Sequence, residues 1–225
     1  AYFYNGNLPI GVFQKRTLFP LWCLYFAVSL PKHSKDIKMK KYILDLEVAS
    51  IEHLNKKNVL LKLSSSAPLP DILPGQFVEV RVDDSPSTFL RRPISVNFVD
   101  RATNRLWLLV AAVGDGTRRL AQLRVGDTLN CVLPLGNSFT MPTLPEQKIL
   151  LVGGGVGVAP LLYFGKLICD FGAEPTFLLG ARSAEDLLEV DEFRKYGRVF
   201  MTTEDGTYGE QGFVTNHSIL QTESF

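Results

Sequence analysis

Three short segments hold residues whose types and spacing suit binding chemistry. The first is Gly153-Gly154-Gly155-Val156-Gly157, followed by Val158-Ala159-Pro160, directly after the apolar run at 148–152. Glycines there let the backbone approach a ligand closely, and a helix starting at Ala159 would aim free N–H groups at a negative charge. Pro160 suits the first turn of that helix. The pattern is not the usual dinucleotide fingerprint, because Gly153-x-Gly155 leads to Val158 and Gly155-x-Gly157 leads to Pro160. The next strand ends in Gly180-Ala181-Arg182, where an acid would hold a ribose. A tight strand-to-helix turn without a ligand is the plainer alternative; four glycines in the five positions 153–157 argue against it.

The second segment, Arg91-Arg92-Pro93-Ile94-Ser95, sets two guanidinium groups beside a rigid proline and a hydroxyl. Arg can grip a diphosphate with two parallel bonds, and Ser95 offers a small donor and acceptor to a ring nitrogen. An ordinary strand with solvated arginines fits the same residues. The third, Gly114-Asp115-Gly116-Thr117, ends a strand at 108–113 and precedes a short helix at 118–123. It is either another anion-ready helix start or a Gly-Asp-Gly hairpin turn.

The elements around these segments divide the chain. From 39 to 143 the dominant hydrophobic period is two: Leu44, Leu46 and Val48 alternate with Asp45 and Glu47, and Val78, Val80 and Val82 with Glu79 and Arg81. Turn residues at Pro74-Gly75, Gly126-Asp127 and Pro134-Leu135-Gly136-Asn137 separate such runs. Short half-buried strands of this kind predict an antiparallel β-barrel, since closure removes sheet edges. From 146 to 225 the order changes to strand (148–152), helix (159–171), strand (176–179), charged helical stretch (184–195) and strand (198–203). That order predicts a parallel α/β sheet, doubly wound, with three strands and room for one more helix; it is short for such a domain and therefore incomplete.

Composition excludes several classes. With 46% hydrophobic and 21% charged residues the chain is neither disordered nor fibrous, and a net charge of +1 removes the electrostatic footprint of a nucleic-acid binder. Cys23, Cys131 and Cys169 are odd in number and widely spaced, so they form neither a disulfide framework nor a complete metal or iron–sulfur site, and a reducing, cytoplasmic setting follows. The apolar run at 18–30 contains Pro20 and is shorter than the about 20 residues a bilayer span needs. It also lacks a convincing signal-peptide cleavage site. Because Met39-Lys40-Lys41 opens the alternating pattern, residues 1–38 are expected to be a non-native or leader extension.

Taken together, these segments resemble the ferredoxin-reductase superfamily of flavoproteins. Arg92-Pro93-Ile94-Ser95 resembles its Arg-x-Tyr-Ser motif, with Ile94 in place of the tyrosine, and Pro74-Gly75-Gln76-Phe77 its Pro-Gly-Gln-aromatic segment. The segments 133–139, 153–160, 180–183 and 203–209 narrow the resemblance to the electron-transfer subunits of class B dihydroorotate dehydrogenases, over roughly 39–220. The resemblance implies an FAD-binding barrel and an NAD-binding α/β domain. It implies FAD held by Arg92, Pro93, Ile94 and Ser95, by the backbone of Leu109, Val110 and Ala111, and by Gly116 and Thr117. It implies NAD received by Gly153, Gly154, Gly155, Val156 and Gly157. Electrons would come from dihydroorotate through FMN of a catalytic subunit, two of each forming a heterotetramer, and through a [2Fe-2S] cluster, in pyrimidine biosynthesis. The family's cluster cysteines have no counterparts here, so the cluster is expected only in a longer protein. No side chain is required as an acid or base. A ferredoxin–NADP or sulfide-type NAD(P)H reductase subunit with the same two domains is the first alternative, since Arg182 leaves NADP open, and a flavin-free interaction module is the alternative of another class.

Overall fold

The computed structural model describes Tyr2–Phe3 and residues 40–225, so the expected extension at 1–38 lies outside the described residues apart from one two-residue strand. In chain order the strands are β1 (Tyr2–Phe3), β2 (Tyr42–His53), β3 (Asn58–Ser64), β4 (Phe77–Val80), β5 (Arg92–Asp100), β6 (Arg105–Ala111), β7 (Thr128–Leu135), β8 (Ile149–Gly154), β9 (Pro175–Ala181), β10 (Arg198–Thr203) and β11 (Glu210–Gln211). The helices are α1 (Asp115–Leu120), α2 (Ala159–Asp170), α3 (Val190–Arg194) and α4 (Ile219–Thr222).

Strands β2-β3-β6-β5-β4-β7 close into an antiparallel barrel. The period-two pattern sets which way each strand faces: Leu46, Val48, Leu61, Leu63, Val78, Val80, Val96, Leu106 and Leu108 fill the interior and are fully buried. Each such side chain contributes about 1.5–3 kcal/mol relative to exposure. β2 closes the barrel by serving two neighbours, pairing β7 with its first half and β3 with its second across a bulge between Val48 and Ser50.

The second half is a sheet ordered β1-β8-β9-β10-β11, in which β8 to β11 run parallel and β1 pairs antiparallel with β8. The three expected strands are its centre; β1 and β11 are short edges that carry too little pattern to be legible. Both faces are covered, which explains the unbroken apolar run at 148–152. Leu151 and Phe177 pack on the α2 and α3 side, where the Phe177 and Phe193 rings lie 5.0 Å apart, while Leu150 and Leu178 pack against Ile219 of α4.

Two helices differ from expectation. The barrel helix occupies Asp115–Leu120 rather than 118–123, because the Thr117 hydroxyl accepts the Val113 and Gly114 N–H groups at 3.1 and 3.0 Å and starts the helix early. The stretch at 184–195 is not one helix: a single 3₁₀ turn at Ala184–Asp186 and the short α3 flank an extended Leu187 and a left-handed Glu189. The barrel and sheet meet along α2. Tyr163 donates to the Ile72 carbonyl at 3.2 Å, and Phe98 of β5 lies 5.7 Å from the Tyr163 ring and 6.2 Å from the Tyr196 ring.

Candidate functional site

β5 and β6 form a fork. Their ladder runs from Asp100–Arg105 to Val96–Leu108 and stops there. Beyond it Arg92–Ser95 pair only with β4, and Leu109–Ala111 pair only with β3. Two strand edges therefore part without a ladder between them; Pro93 brings no N–H and the Ala111 carbonyl accepts from Val113 at 2.9 Å, which leaves the other peptide groups for a flat polar ligand. Along β5, Ile94 is buried in the core, so it contributes backbone to the fork; Ser95 points outward and has no side-chain hydrogen bond among the described residues. Leu109 and Val110 are likewise buried and offer backbone, with Ala111 partly exposed.

The two arginines do different things. Arg91 reaches back across β4 and β7, donating to the carbonyl oxygens of Glu79 at 3.2 Å and Asn130 at 3.0 Å and to the Asn130 side chain. It is a structural tie. Arg92 uses only Nε, on the Arg91 carbonyl at 3.0 Å, which leaves its two terminal nitrogens without a hydrogen bond among the described residues. Gly116 brings α1 against it: a Cβ there would lie 3.1 Å from Arg92 Cδ and 3.0 Å from Thr88 Cγ2, so a side chain would push those neighbours back. Thr117, by contrast, spends its hydroxyl on the cap described above and donates it to the Gly114 carbonyl at 3.1 Å. Asp115, held below the usual carboxylate range chiefly by the hydrogen bond from Arg118, places a negative charge at the same end.

The glycine segment splits between strand and turn. Gly153 and Gly154 end β8, paired with Leu179 and Gly180, and Gly155–Val158 make a 3₁₀ turn into α2. Gly155 has φ +53°, a left-handed conformation, and neither it nor Gly157 has anything within 4 Å of where a Cβ would stand. The turn is exposed from Gly154 to Gly157 and touches β6, so it opens beside the fork. The ends of the neighbouring strands are stitched together there: Glu204 and Asp205 donate N–H to the Ala181 and Arg182 carbonyls, both at 3.1 Å, and the Thr207 hydroxyl accepts from Ala184 at 2.8 Å. Asp205 accepts from Thr207, which lowers its pKa, and is thus engaged within its own loop. Arg182 and Glu204 are exposed.

Sequence reasoning missed a second polar group beneath these cradles. Asn97, fully buried on β5, donates to the Ala159 carbonyl at 3.1 Å and to Glu189 Oε2 at 2.8 Å. The only signal was a lone amide between Val96 and Phe98. Burial, first, pushes the Glu189 carboxyl up to about 7; Asn97 and Lys62 pull the other way and Glu192 and Glu52 add to the rise. Glu189, Lys62, Trp107, Glu52, Asp191 and Arg194 line a cavity of about 510 Å³ between barrel and sheet.

Nothing described fits an iron–sulfur cluster. Cys131 is buried in the barrel with its thiol pushed up to about 12 by burial, and Cys169 is an exposed free thiol on α2. No group of three potential metal ligands occurs among the described residues. Nor, among them, is any helix long and apolar enough to cross a membrane.

No family model matches the chain. It is 42% identical over 144 residues to the dihydroorotate dehydrogenase B (NAD(+)) electron transfer subunit of Shouchella clausii, covering 64% of this chain and 56% of that one. The Fusobacterium nucleatum subunit of the same name is 39% identical over the same shares. The chain thus spans little more than half the length of these relatives. Among solved structures, an NADH-dependent reduced ferredoxin-NADP oxidoreductase matches with TM-score 0.71 and 29% identity, over 80% of this chain and 64% of that one. Phthalate dioxygenase reductase shares the fold, with TM-score 0.62 at 22% identity over 80% of this chain and 56% of that one. This chain therefore has the barrel-and-parallel-sheet fold of the ferredoxin-reductase-type proteins, and over most of its described length it is similar to the electron-transfer subunits of dihydroorotate dehydrogenase B.

Proposed function

We propose that this chain is the flavin- and nicotinamide-binding part of an electron-transfer subunit, carrying electrons between FAD in the β5–β6 fork and NAD at the glycine turn. The observation that carries the reading is the fork itself, with Arg92, whose terminal nitrogens make no hydrogen bond among the described residues, at the start of one arm and the left-handed turn at Gly155 beside the other. The residues suit the two groups. Arg92 has two free nitrogens for a diphosphate, and Gly116 keeps α1 close enough to cover it. Ser95 and the open edge of Leu109–Ala111 offer the alternating donors and acceptors that a flavin ring needs. The empty space over Gly155 and Gly157 admits a second, flat ligand.

When bound, FAD supplies the redox chemistry, accepting electrons singly and exchanging a hydride with the nicotinamide. The protein's part is placement. Arg92 would anchor a diphosphate, Ser95 would meet a ring nitrogen, and the fork and the turn would each hold one of the two ligands. No described side chain is needed as an acid or base for a hydride step. On the same reading the electrons come from a partner catalytic subunit that oxidises dihydroorotate on FMN, and a cluster linking the two would find no ligand set among the described residues.

Titrating the purified chain with FAD and recording its visible spectrum tests this directly. A yellow complex with a perturbed flavin spectrum is expected, bleached anaerobically by NADH. A chain that stays colourless after FAD addition overturns the reading. Because Arg182 stands exposed at the end of β9, where a 2′-phosphate would lie, NADPH is the comparison substrate; faster bleaching by NADPH would change the nucleotide and leave the rest standing.

A further inference from the structure

β5 is irregular between Val96 and Phe98, and Asn97, the residue at that bulge two positions after Ser95, turns its side chain toward α2 and α3. Asn97 is fully buried, yet its side chain serves the other half of the molecule: one amide nitrogen meets the carbonyl of Ala159, the first residue of α2, and a Glu189 carboxylate oxygen at the start of α3. Ala159 directly follows the Gly155–Val158 turn. A single amide therefore joins the strand that bears Arg92 and Ser95 to the segment that bears the glycine turn.

Burial alone does not account for this pair. Asn97 Oδ1 and Glu189 Oε1 are both buried without a hydrogen-bond partner, a cost that two apolar residues would avoid. Glu189 also holds a left-handed backbone at φ 53°, which a β-carbon disfavours. Other contacts already glue α2 to the barrel: the Phe98 rings and the Tyr163–Ile72 hydrogen bond. The ring contacts are non-directional and the Tyr163 bond reaches only α2, whereas the Asn97 amide joins β5 to α2 and α3 at once.

We infer that Asn97 and Glu189 act as a positioning pair that fixes the spacing between the β5–β6 fork and the Gly155–Val158 turn. The inference rests on the proposed placement of FAD and NAD in those two cradles. Glu189 faces Glu52 of β2, Lys62 of β3, Asn97 of β5, and Asp191, Glu192 and Arg194 of α3 around the cavity. Carboxylates (Glu52, Asp191, Glu192) and cations (Lys62, Arg194) both surround it, and the Asn97 N–H serves as donor to Glu189 in either protonation state, so the tether rests on geometry.

The experiment uses the whole chain in two states. In the cofactor-free protein, amide hydrogen exchange is followed across 155–161, with protection corrected for intrinsic exchange. Asn97→Leu is expected to lower protection there about tenfold, and Glu189→Leu, which removes the acceptor, is expected to lower it in the same direction. In the FAD-loaded protein, anaerobic bleaching by NADH is expected to show a limiting rate roughly tenfold lower in Asn97→Leu, with FAD occupancy kept and half-saturation by NADH little changed. Wild-type protection and limiting rate in Asn97→Leu overturn the inference. Should Asn97→Leu fail to fold, Glu189→Leu decides: wild-type protection across 155–161 in that variant overturns it. Failure of the wild type to take up FAD would instead strike the proposed function, and the exchange arm would still judge the tether.

Discussion

Adjacent arginines with the same chemistry have opposite duties here, and the difference lies in what the rest of the fold leaves within reach. Arg91 finds two carbonyl oxygens and an amide at Glu79 and Asn130, while Arg92 finds only its neighbour's carbonyl. Arg92→Ala is expected to lower FAD affinity by about 1.5–3 kcal/mol, roughly ten- to a hundredfold, with little change in the urea midpoint. Arg91→Ala is expected to do the reverse, costing about 1–3 kcal/mol of stability by stranding its acceptors, with FAD affinity nearly kept. Paired urea and flavin titrations check both. The pair of arginines was legible in the sequence, but their division of labour was not, because the partners of Arg91 sit 12 and 39 residues away on other strands.

At the scale of elements, the strands were the legible part. Period two identified the barrel, and the strand at 198–203 coincides with β10, because both depend on which face meets the core. The segment at 184–195 was not legible: its charges suit a helix, but Glu189 is turned into the barrel to meet Asn97, and that long-range bond breaks the local preference. The fork was hidden for a similar reason. Nothing in Arg92–Ser95 or Leu109–Ala111 says that the two strands part there; the separation is a property of the ladder. The glycine turn was legible as a turn, and its geometry makes a sharp prediction. Gly155→Val imposes a β-branched residue on a left-handed backbone and fills the open space above it. FAD retention is expected to survive while the NADH concentration for half-maximal bleaching rises at least about tenfold, measured by stopped-flow absorbance.

For the molecule as a whole, Glu189 ties stability to pH. Its pKa is raised from 4.5 to about 7, so the folded chain holds a proton that the unfolded chain has already released. Its contribution to stability is fully present below pH 4.5 and is lost as pH rises toward and past 7, by about 3 kcal/mol at most. The stability difference between Glu189→Gln and the wild type is therefore expected to swing in the variant's favour between pH 5 and pH 8, read from urea unfolding at each pH. A difference that stays constant over that range would mean the carboxyl is already hydrated. A last consequence follows from the parting of β5 and β6. On the proposed reading Leu109–Ala111 would be recognised through peptide groups: Val110 serves the barrel interior, Leu109 is buried on the strand's other face, and Ala111 is partly exposed. Drift at those positions would then be tolerated wherever extended geometry survives, and a signature spelled in amino-acid letters would pass over one wall of the proposed slot.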